Sequence, residues 1–338
     1  MPTENPFSPG ESFKPSAENN EQPHLFQPGP AGSTYQDSAI GAFDSFGTRE
    51  KVLTAKEQYE NLTNRNTNFI FFFGKPAAGK SHMMASLIHY MKTCDLGDLI
   101  VSKNNRRDAH ILVQDMFESI HTGTHLNRTA SQVGGVEPPT EIDLIFRPKD
   151  NRLPVMKFTF LEMSGENLEL VQVRSNNLQS GKLPDTIETY LNCPNLKLSF
   201  FLLASHEDAA RDGQVIDSFL DYLVQKDDKF DRYKYLLAIT KWDTYRGEYR
   251  NSVEEFVDKF MPHIYQRLIK EGAINALINY SLGTFQQVQA NGHLTDLLVK
   301  ADVARAAVLT EWMYHNITGK SLIPVPSFGE RFRRFLGI

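Results

Sequence analysis

"FFFGKPAAGKSHMM" (residues 71–84) decides how the rest of the sequence is interpreted. An aromatic run ends at Gly74, and the eight residues that start there match the pattern G-x-x-x-x-G-K-[ST] without a departure. The preceding "FIFFF" (69–73) is short and wholly apolar, which is typical of a strand covered on both faces. Apolar residues recur at helical spacing after the match, at Met84, Leu87, Ile88 and Met91.

This strand, glycine loop and helix predict a loop that binds the phosphates of a nucleotide. Glycines let the backbone curl so that its N–H groups point at phosphate oxygens, and the helix adds the positive end of its dipole. We expect Lys80 to reach the β- and γ-phosphates and the Ser81 hydroxyl to ligate Mg²⁺. The predicted loop consists of Gly74, Lys75, Pro76, Ala77, Ala78, Gly79, Lys80 and Ser81.

Acids at two later strand ends indicate a metal ion and a particular base. The strand in "KFTFLEMSGEN" (157–167) runs into Glu162, which is expected to hold Mg²⁺ beside the phosphates. "YLLAI" (235–239) is followed directly by Thr240-Lys241-Trp242-Asp243. A carboxylate such as Asp243 accepts hydrogen bonds from both N1–H and N2–H₂ of guanine, whereas adenine offers neither donor. The sequence therefore predicts guanine, with the Lys241 stem along the base and Thr240 bracing the loop.

In their order along the chain these motifs resemble those of the P-loop GTPase superfamily. T-K-W-D is similar to its [NT]-K-x-D guanine motif, and Glu162-Met-Ser-Gly165 is similar to its D-x-x-G motif, with glutamate in place of aspartate. The resemblance implies that the Gly165 N–H senses the γ-phosphate. It also implies a switch threonine that coordinates Mg²⁺ in the triphosphate state, either Thr140 or the nearby Thr129.

The resemblance extends from about residue 61 to residue 319, and it implies a Ras-like, translation-factor-related domain similar to divergent bacterial GTPases. The implied fold is α/β, a doubly wound, mostly parallel sheet with one antiparallel strand pair. Alternating apolar residues at 142–146 and 156–160 predict that antiparallel hairpin. Buried strands are predicted at 197–205, 234–240 and, as the last strand, 276–283, and helical stripes at 113–120, 216–223, 253–268 and 308–313. Ser281 and Leu282 then resemble the last base-contacting loop.

Composition frames the organisation of the chain. With 338 residues, 41% apolar content, 23% charged content and a net charge of −5, it is typical of a globular protein without a general attraction to nucleic acid. Two cysteines without metal spacing, no signal peptide and no apolar run of about 20 residues favour a cytoplasmic protein. We predict a disordered Pro/Gly/Ser-rich arm at 1–50, a nucleotide-binding domain at 51–320 with an insertion around 95–135, and an amphipathic tail at 321–338.

The predicted function is that of a molecular switch with slow hydrolysis of GTP. Glu166 stands where the superfamily has a water-orienting glutamine, and its charge would repel the γ-phosphate, so efficient turnover would need an arginine. That arginine would come from an activating protein partner or from Arg106, Arg107 or Arg128. The basic tail docks on a membrane, docks on a partner or packs back on the domain. Two other functions remain open, a P-loop ATPase and a scaffold that binds nucleotide without hydrolysing it.

Overall fold

The computed structural model describes residues 55–124, 140–162, 183, 185–226, 233–270, 272–290 and 293–323. The helices in these ranges are α1 (Ala55–Asn64), α2 (Lys80–Thr93), α3 (Arg107–Thr122), α4 (Asp185–Asn192), α5 (Ala209–Lys226), α6 (Val253–Phe260) and α7 (Val303–Thr318). The strands are β1 (Asn68–Phe73), β2 (Gly97–Val101), β3 (Thr140–Pro148), β4 (Met156–Glu162), β5 (Leu198–Ser205), β6 (Lys234–Thr240), β7 (Ala276–Asn279), β8 (Gly283–Ala290) and β9 (His293–Ala301). The predicted N-terminal arm and most of the predicted tail lie outside the described residues.

Seven strands form one sheet in the order β2-β3-β4-β1-β5-β6-β7. β1 lies between β4 and β5 and is parallel to both, and β6 and β7 continue the parallel part. β3 runs antiparallel to β4, as the hairpin pattern predicts, and also antiparallel to β2. The predicted fold class, a doubly wound and mostly parallel α/β sheet with an antiparallel pair, is thereby confirmed.

The sheet is buried on both faces, which explains the wholly apolar run at positions 69–73 of β1. Phe69, Phe71 and Phe73 belong to a core on the face covered by α1, α4, α5 and α6. Ile70 and Phe72 belong to a second core, with α2, α3 and α7, on the opposite face. Because successive side chains of a strand point to opposite faces, a central parallel strand needs apolar residues at every position. β1 is therefore fixed rigidly beneath the glycine loop that follows it.

Two expectations about secondary structure need correction, and one strand was not predicted. The single helix expected at 253–268 is wrong, because α6 ends at Phe260. Pro262 cannot donate an amide hydrogen bond, and it begins a short helical turn, Pro262–Ile264, which is followed by a π-helical stretch, Tyr265–Lys270. β7 is the last strand of the main sheet, but β8 and β9 follow it as a separate antiparallel ribbon. The described part of the segment 95–135 contains β2, an edge strand of the main sheet, as well as the expected helix.

No helix among the described residues combines the length and the apolar character needed to cross a membrane.

Candidate functional site

The loops that carry the predicted site residues lie along one edge of the sheet. β1, β4, β5, β6 and β7 are mutually parallel, so their carboxyl ends meet at that edge. The chain passes from β1 to strands on both of its sides, and ligands of such sheets bind in the crevice at this kind of switch point. Residues 74–81, which we call the phosphate loop, follow β1 and start α2 there.

The backbone of the phosphate loop requires its glycines. A Cβ on Gly74 would lie 2.6 Å from the carbonyl oxygen of Leu203 in β5, so no larger residue fits. Gly79, the residue before α2, has φ +89°, a left-handed conformation that glycine adopts without steric cost. Ala77 is also left-handed, with φ 64°. These conformations curl the chain between strand and helix, as a cradle of backbone N–H groups demands.

Lys80 lies inside this curl. Its side chain is almost fully buried, with 6% of the residue exposed. The Nζ atom donates to the carbonyl oxygens of Gly74 at 2.7 Å and Lys75 at 2.8 Å. A buried ammonium beside the N-terminus of α2 makes this position strongly attractive to an anion. The structure therefore places a fixed positive charge at the centre of the phosphate loop.

Ser81 and Glu162 meet beside Lys80. The Ser81 hydroxyl donates to Glu162 Oε1 at 2.8 Å, although the two residues come from α2 and from the end of β4. Thr140, the first residue of β3, is the antiparallel partner of Glu162. A hydroxyl and a carboxylate are hard oxygen ligands of the type that Mg²⁺ prefers. No group of three or more His, Cys, Asp and Glu side chains suited to a metal occurs in the described ranges, so any Mg²⁺ here would need oxygens from phosphate or water as well.

The residues 240–243, which we call the base loop, contact the phosphate loop directly. The buried Thr240 hydroxyl lies 2.9 Å from the carbonyl oxygen of Ala78 in the phosphate loop and 3.2 Å from that of Ala204. Lys241 has a left-handed backbone, with φ 57°, which turns the chain sharply after β6. This turn buries Trp242 against Tyr245 and Phe256, whereas Asp243 stays half-exposed.

Tyr280 fixes the third predicted loop, around Ser281 and Leu282, to its neighbours. Its carbonyl oxygen accepts from the Trp242 N–H at 3.1 Å, which joins this loop to the base loop. The Tyr280 hydroxyl is hydrogen-bonded to Ser86 in α2 at 2.5 Å. Leu282 is buried, and Ser281 is half-buried. The structure thus brings the phosphate loop, the base loop and the third loop together.

The structure does not test the roles predicted for several other residues. Gly165, Glu166, Thr129 and Arg128 lie outside the described residues, so their predicted roles stay predictions. Arg106 and Arg107 are exposed where α3 begins.

The residues that follow β5 were not predicted to belong to the site, and they form a three-residue 3₁₀ turn, His206–Asp208. Glu207 pairs with Lys241, and Asp208 Oδ2 lies 2.9 Å from Lys75 Nζ. "KLSFFLLAS" was identified as a buried strand, and the carboxyl end of a parallel strand lies at the same edge of the sheet as the other loops. No local motif marks the turn, so only the order of the strands in the sheet could have predicted its position near the site.

His206 provides a pH-dependent test of this part of the site. Its Nε2 lies 2.7 Å from Thr244 Oγ1 and its ring packs near Tyr245. Burial lowers the pKa of His206, the charge of Lys241 adds to the lowering, and Glu207 and Asp243 oppose it. The unfolded chain therefore takes up a proton before the folded chain does, starting near the ordinary pKa of about 6.5, and folding is disfavoured as the pH falls through that range.

We therefore expect the free energy of unfolding of the wild-type protein to fall relative to that of His206→Gln between about pH 7.5 and about pH 5.5. Urea titrations of both proteins across this range measure the difference. A difference that is constant with pH, or that grows in favour of the wild type at low pH, would contradict the assigned direction.

Comparisons with known proteins give only distant structural similarity. No protein-family model matches the chain. No curated protein matches it either. Among solved structures, a signal recognition particle receptor SRb-GTP/SRX complex from Chaetomium thermophilum is 13% identical, with a TM-score of 0.35 over 64% of this chain and 90% of that chain. A septin GTPase domain from Chlamydomonas reinhardtii is 11% identical, with a TM-score of 0.36 over 75% of this chain and 94% of that chain.

Proposed function

We propose that this chain binds GTP and GDP together with Mg²⁺ and acts as a nucleotide-dependent molecular switch. The observation that carries the proposal is the contact of the Thr240 hydroxyl with the Ala78 carbonyl, at 2.9 Å. This contact joins the base loop, which carries Asp243, to the phosphate loop, which carries Lys80. A triphosphate held by the phosphate loop would therefore have its base near the base loop.

Each side chain then has a definite part in binding. Lys80 would exchange its contacts with the carbonyl oxygens of Gly74 and Lys75 for phosphate oxygens. Asp243 would accept from N1–H and N2–H₂ of guanine, and adenine would leave its carboxylate without these donors. Ser81 and Glu162 would hold Mg²⁺, directly and through water. The ion, when bound, neutralises charge on the β- and γ-phosphate oxygens.

Switching would follow from the position of Thr140. Thr140 pairs with Glu162 in the β3–β4 ladder, so the first residue of β3 lies beside the proposed metal site. If Thr140 ligates Mg²⁺ only with the triphosphate bound, loss of the γ-phosphate would release Thr140, and Gly165 is expected to respond in the same way. A protein effector that binds one of the two states would read the nucleotide. With Glu166 in place of glutamine, intrinsic hydrolysis would be slow.

Displacement of a fluorescent guanine nucleotide tests the proposal. We expect GDP and GTP to displace it from the purified protein and ADP and ATP to leave it bound at the same concentrations. Equal displacement by adenine nucleotides would favour the ATPase alternative instead. A single-turnover measurement of γ-phosphate release would then separate a slow GTPase from a scaffold that does not hydrolyse.

The proposed metal site makes a separate prediction. Glu162→Gln keeps the shape of the side chain and removes its charge, so we expect the concentration of Mg²⁺ needed for half-maximal GTP binding to rise about 10- to 100-fold. Titration of Mg²⁺ against a fixed concentration of labelled GTP measures it. GTP binding in EDTA is the internal control, and there the variant should match the wild-type protein. An unchanged Mg²⁺ requirement would remove Glu162 from the site.

A further inference from the structure

The His206–Asp208 turn contacts both nucleotide-binding loops through three consecutive residues. His206 Nε2 lies 2.7 Å from Thr244 Oγ1, directly after the base loop. Glu207 forms an ion pair with Lys241 within the base loop. Asp208 Oδ2 lies 2.9 Å from Nζ of Lys75, the second residue of the phosphate loop. One short turn therefore connects the two loops that would hold opposite ends of the nucleotide.

The turn itself is anchored from inside the protein. Asp212 is buried, with 3% of the residue exposed, and its carboxylate accepts a hydrogen bond from the Ser205 N–H at 2.7 Å. The Ser205 hydroxyl in turn accepts from the Glu207 N–H at 3.3 Å. Asp212 also lies 3.8 Å from Lys75, behind the closer contact with Asp208. The contacts of His206, Glu207 and Asp208 with the two loops are therefore made by a turn that is held in place at the end of β5.

The ion pair with Glu207 acts on a strained part of the site. Lys241 has a left-handed backbone, which is uncommon for a residue with a long side chain. Such a conformation persists only where neighbouring contacts hold it. Asp243, two residues further on, depends on this turn for its position. A contact that fixes the Lys241 side chain therefore also limits the freedom of the carboxylate proposed to select guanine.

We infer that the His206–Asp208 turn is a positioning element that holds the base loop and the phosphate loop together and thereby slows the release of a bound guanine nucleotide. This inference rests on the function proposed above. Loops that are fixed before binding lose less conformational freedom in the complex, and the complex then dissociates more slowly. Repulsion of an anionic ligand by the negative charges of Glu207 and Asp208 would instead speed its release. The two effects predict changes of opposite sign.

Glu207→Gln distinguishes them. We expect labelled GDP to dissociate from Glu207→Gln about two- to fivefold faster than from the wild-type protein, the range typical of one exposed ion pair. Glu248→Gln is the matched control, because it makes the same charge change at an exposed position seven residues beyond Lys241. The control should release GDP at the wild-type rate. In about 0.5 M NaCl the effect of Glu207→Gln should shrink, since salt screens exposed charges.

A double-mutant cycle tests whether Glu207 acts through Lys241. In a Lys241→Met background, Glu207→Gln should leave the GDP dissociation rate unchanged. Asp208→Asn, which affects the contact with Lys75 instead, should still accelerate release in that background. A purely structural role of Glu207 would give the same effect in both backgrounds and would appear in the free energy of unfolding.

The outcomes separate this inference from the proposed function. If the wild-type protein binds GDP and Glu207→Gln releases it at the wild-type rate or more slowly, the positioning role is overturned and the proposed function stands. If the wild-type protein does not bind guanine nucleotides, the proposed function fails and this inference fails with it. Faster release from Glu207→Gln, abolished by Lys241→Met, supports both.

Discussion

Asp243→Asn should bind GDP about a hundredfold more weakly than the wild-type protein and should gain affinity for xanthosine diphosphate. In the proposed complex the carboxylate would accept two charge-assisted hydrogen bonds from guanine. An amide would retain only one acceptor and would place its own N–H donor against a donor of the base. Xanthine has a carbonyl group at the position of the guanine amino group, and this carbonyl accepts from the new amide. Competition of XDP and GDP for a labelled nucleotide measures the exchange of preference.

Asp243 is half-exposed, so this change should leave the fold intact. Asp217→Asn is not a suitable control, because Asp217 is paired with Arg267. Asp98→Asn changes an exposed aspartate of the edge strand β2 and should preserve the preference for GDP. If Asp243→Asn kept full affinity for GDP, or lost affinity for GDP without gaining affinity for XDP, the assignment of base recognition to this carboxylate would be contradicted.

Lys80→Met should reduce the affinity for GTP by about a hundredfold or more. The substitution keeps the length of the buried stem and removes the ammonium that the phosphate loop encloses. Charged hydrogen bonds to phosphate oxygens in a buried setting are each worth about 1.5–3 kcal/mol, and the lysine would make more than one of them in the proposed complex. Direct binding of labelled GTP, with and without Mg²⁺, measures the loss.

Lys320→Met is the control for Lys80→Met. Lys320 is exposed just after α7, and the substitution removes the same charge there. We expect wild-type affinity for GTP from this control and a melting temperature for Lys80→Met within a few degrees of wild type. Full GTP binding by folded Lys80→Met would contradict the assignment of residues 74–81 to the phosphates.

The central part of the fold was predictable because each element satisfies a simple physical demand. The central residues of β1, β5 and β6 are apolar because both faces of the sheet are covered, and these strands were identified as short apolar runs. β3 and β4 alternate, and they form the antiparallel hairpin. The contact of Thr240 with Ala78 fits the bracing role expected for that threonine. It joins the end of β6 to the loop after β1, and β5 separates these two strands in the sheet.

Elements with weak patterns were missed. β2 is an edge strand of five residues, and three of them are half-buried, so its sequence "GDLIV" gives little periodicity. The sequence of β8, "GTFQQVQA", contains several polar residues, so it lacks the apolar pattern of a strand. The Asn-Gly pair at 291–292 is nevertheless typical of the turn in a two-stranded antiparallel ribbon. The proline that ends the helix at 253–260 was visible in the sequence, but the apolar stripe that continues past it to Leu268 suggested one helix.

Residues of the candidate site can be identified from the sequence where a motif is local and not where the site depends on contacts between distant residues. Residues 74–81 and 240–243 are contiguous patterns with a known chemistry. The His206–Asp208 turn carries no motif, and the role proposed for it rests on three contacts to distant residues: Lys75, Lys241 and Thr244. Such contacts depend on the strand order β1-β5-β6, which local sequence does not specify.

Calorimetric titration of the wild-type protein with GDP, IDP and ADP in the presence of Mg²⁺ is the most direct test. These three nucleotides share the phosphates and the ribose, and they offer Asp243 two hydrogen-bond donors, one donor and none. We expect GDP to bind most tightly, IDP about tenfold more weakly, and ADP at least about a hundredfold more weakly. Equal affinity for GDP and ADP, or no binding of GDP, would contradict the assignment of this sheet edge to a guanine nucleotide.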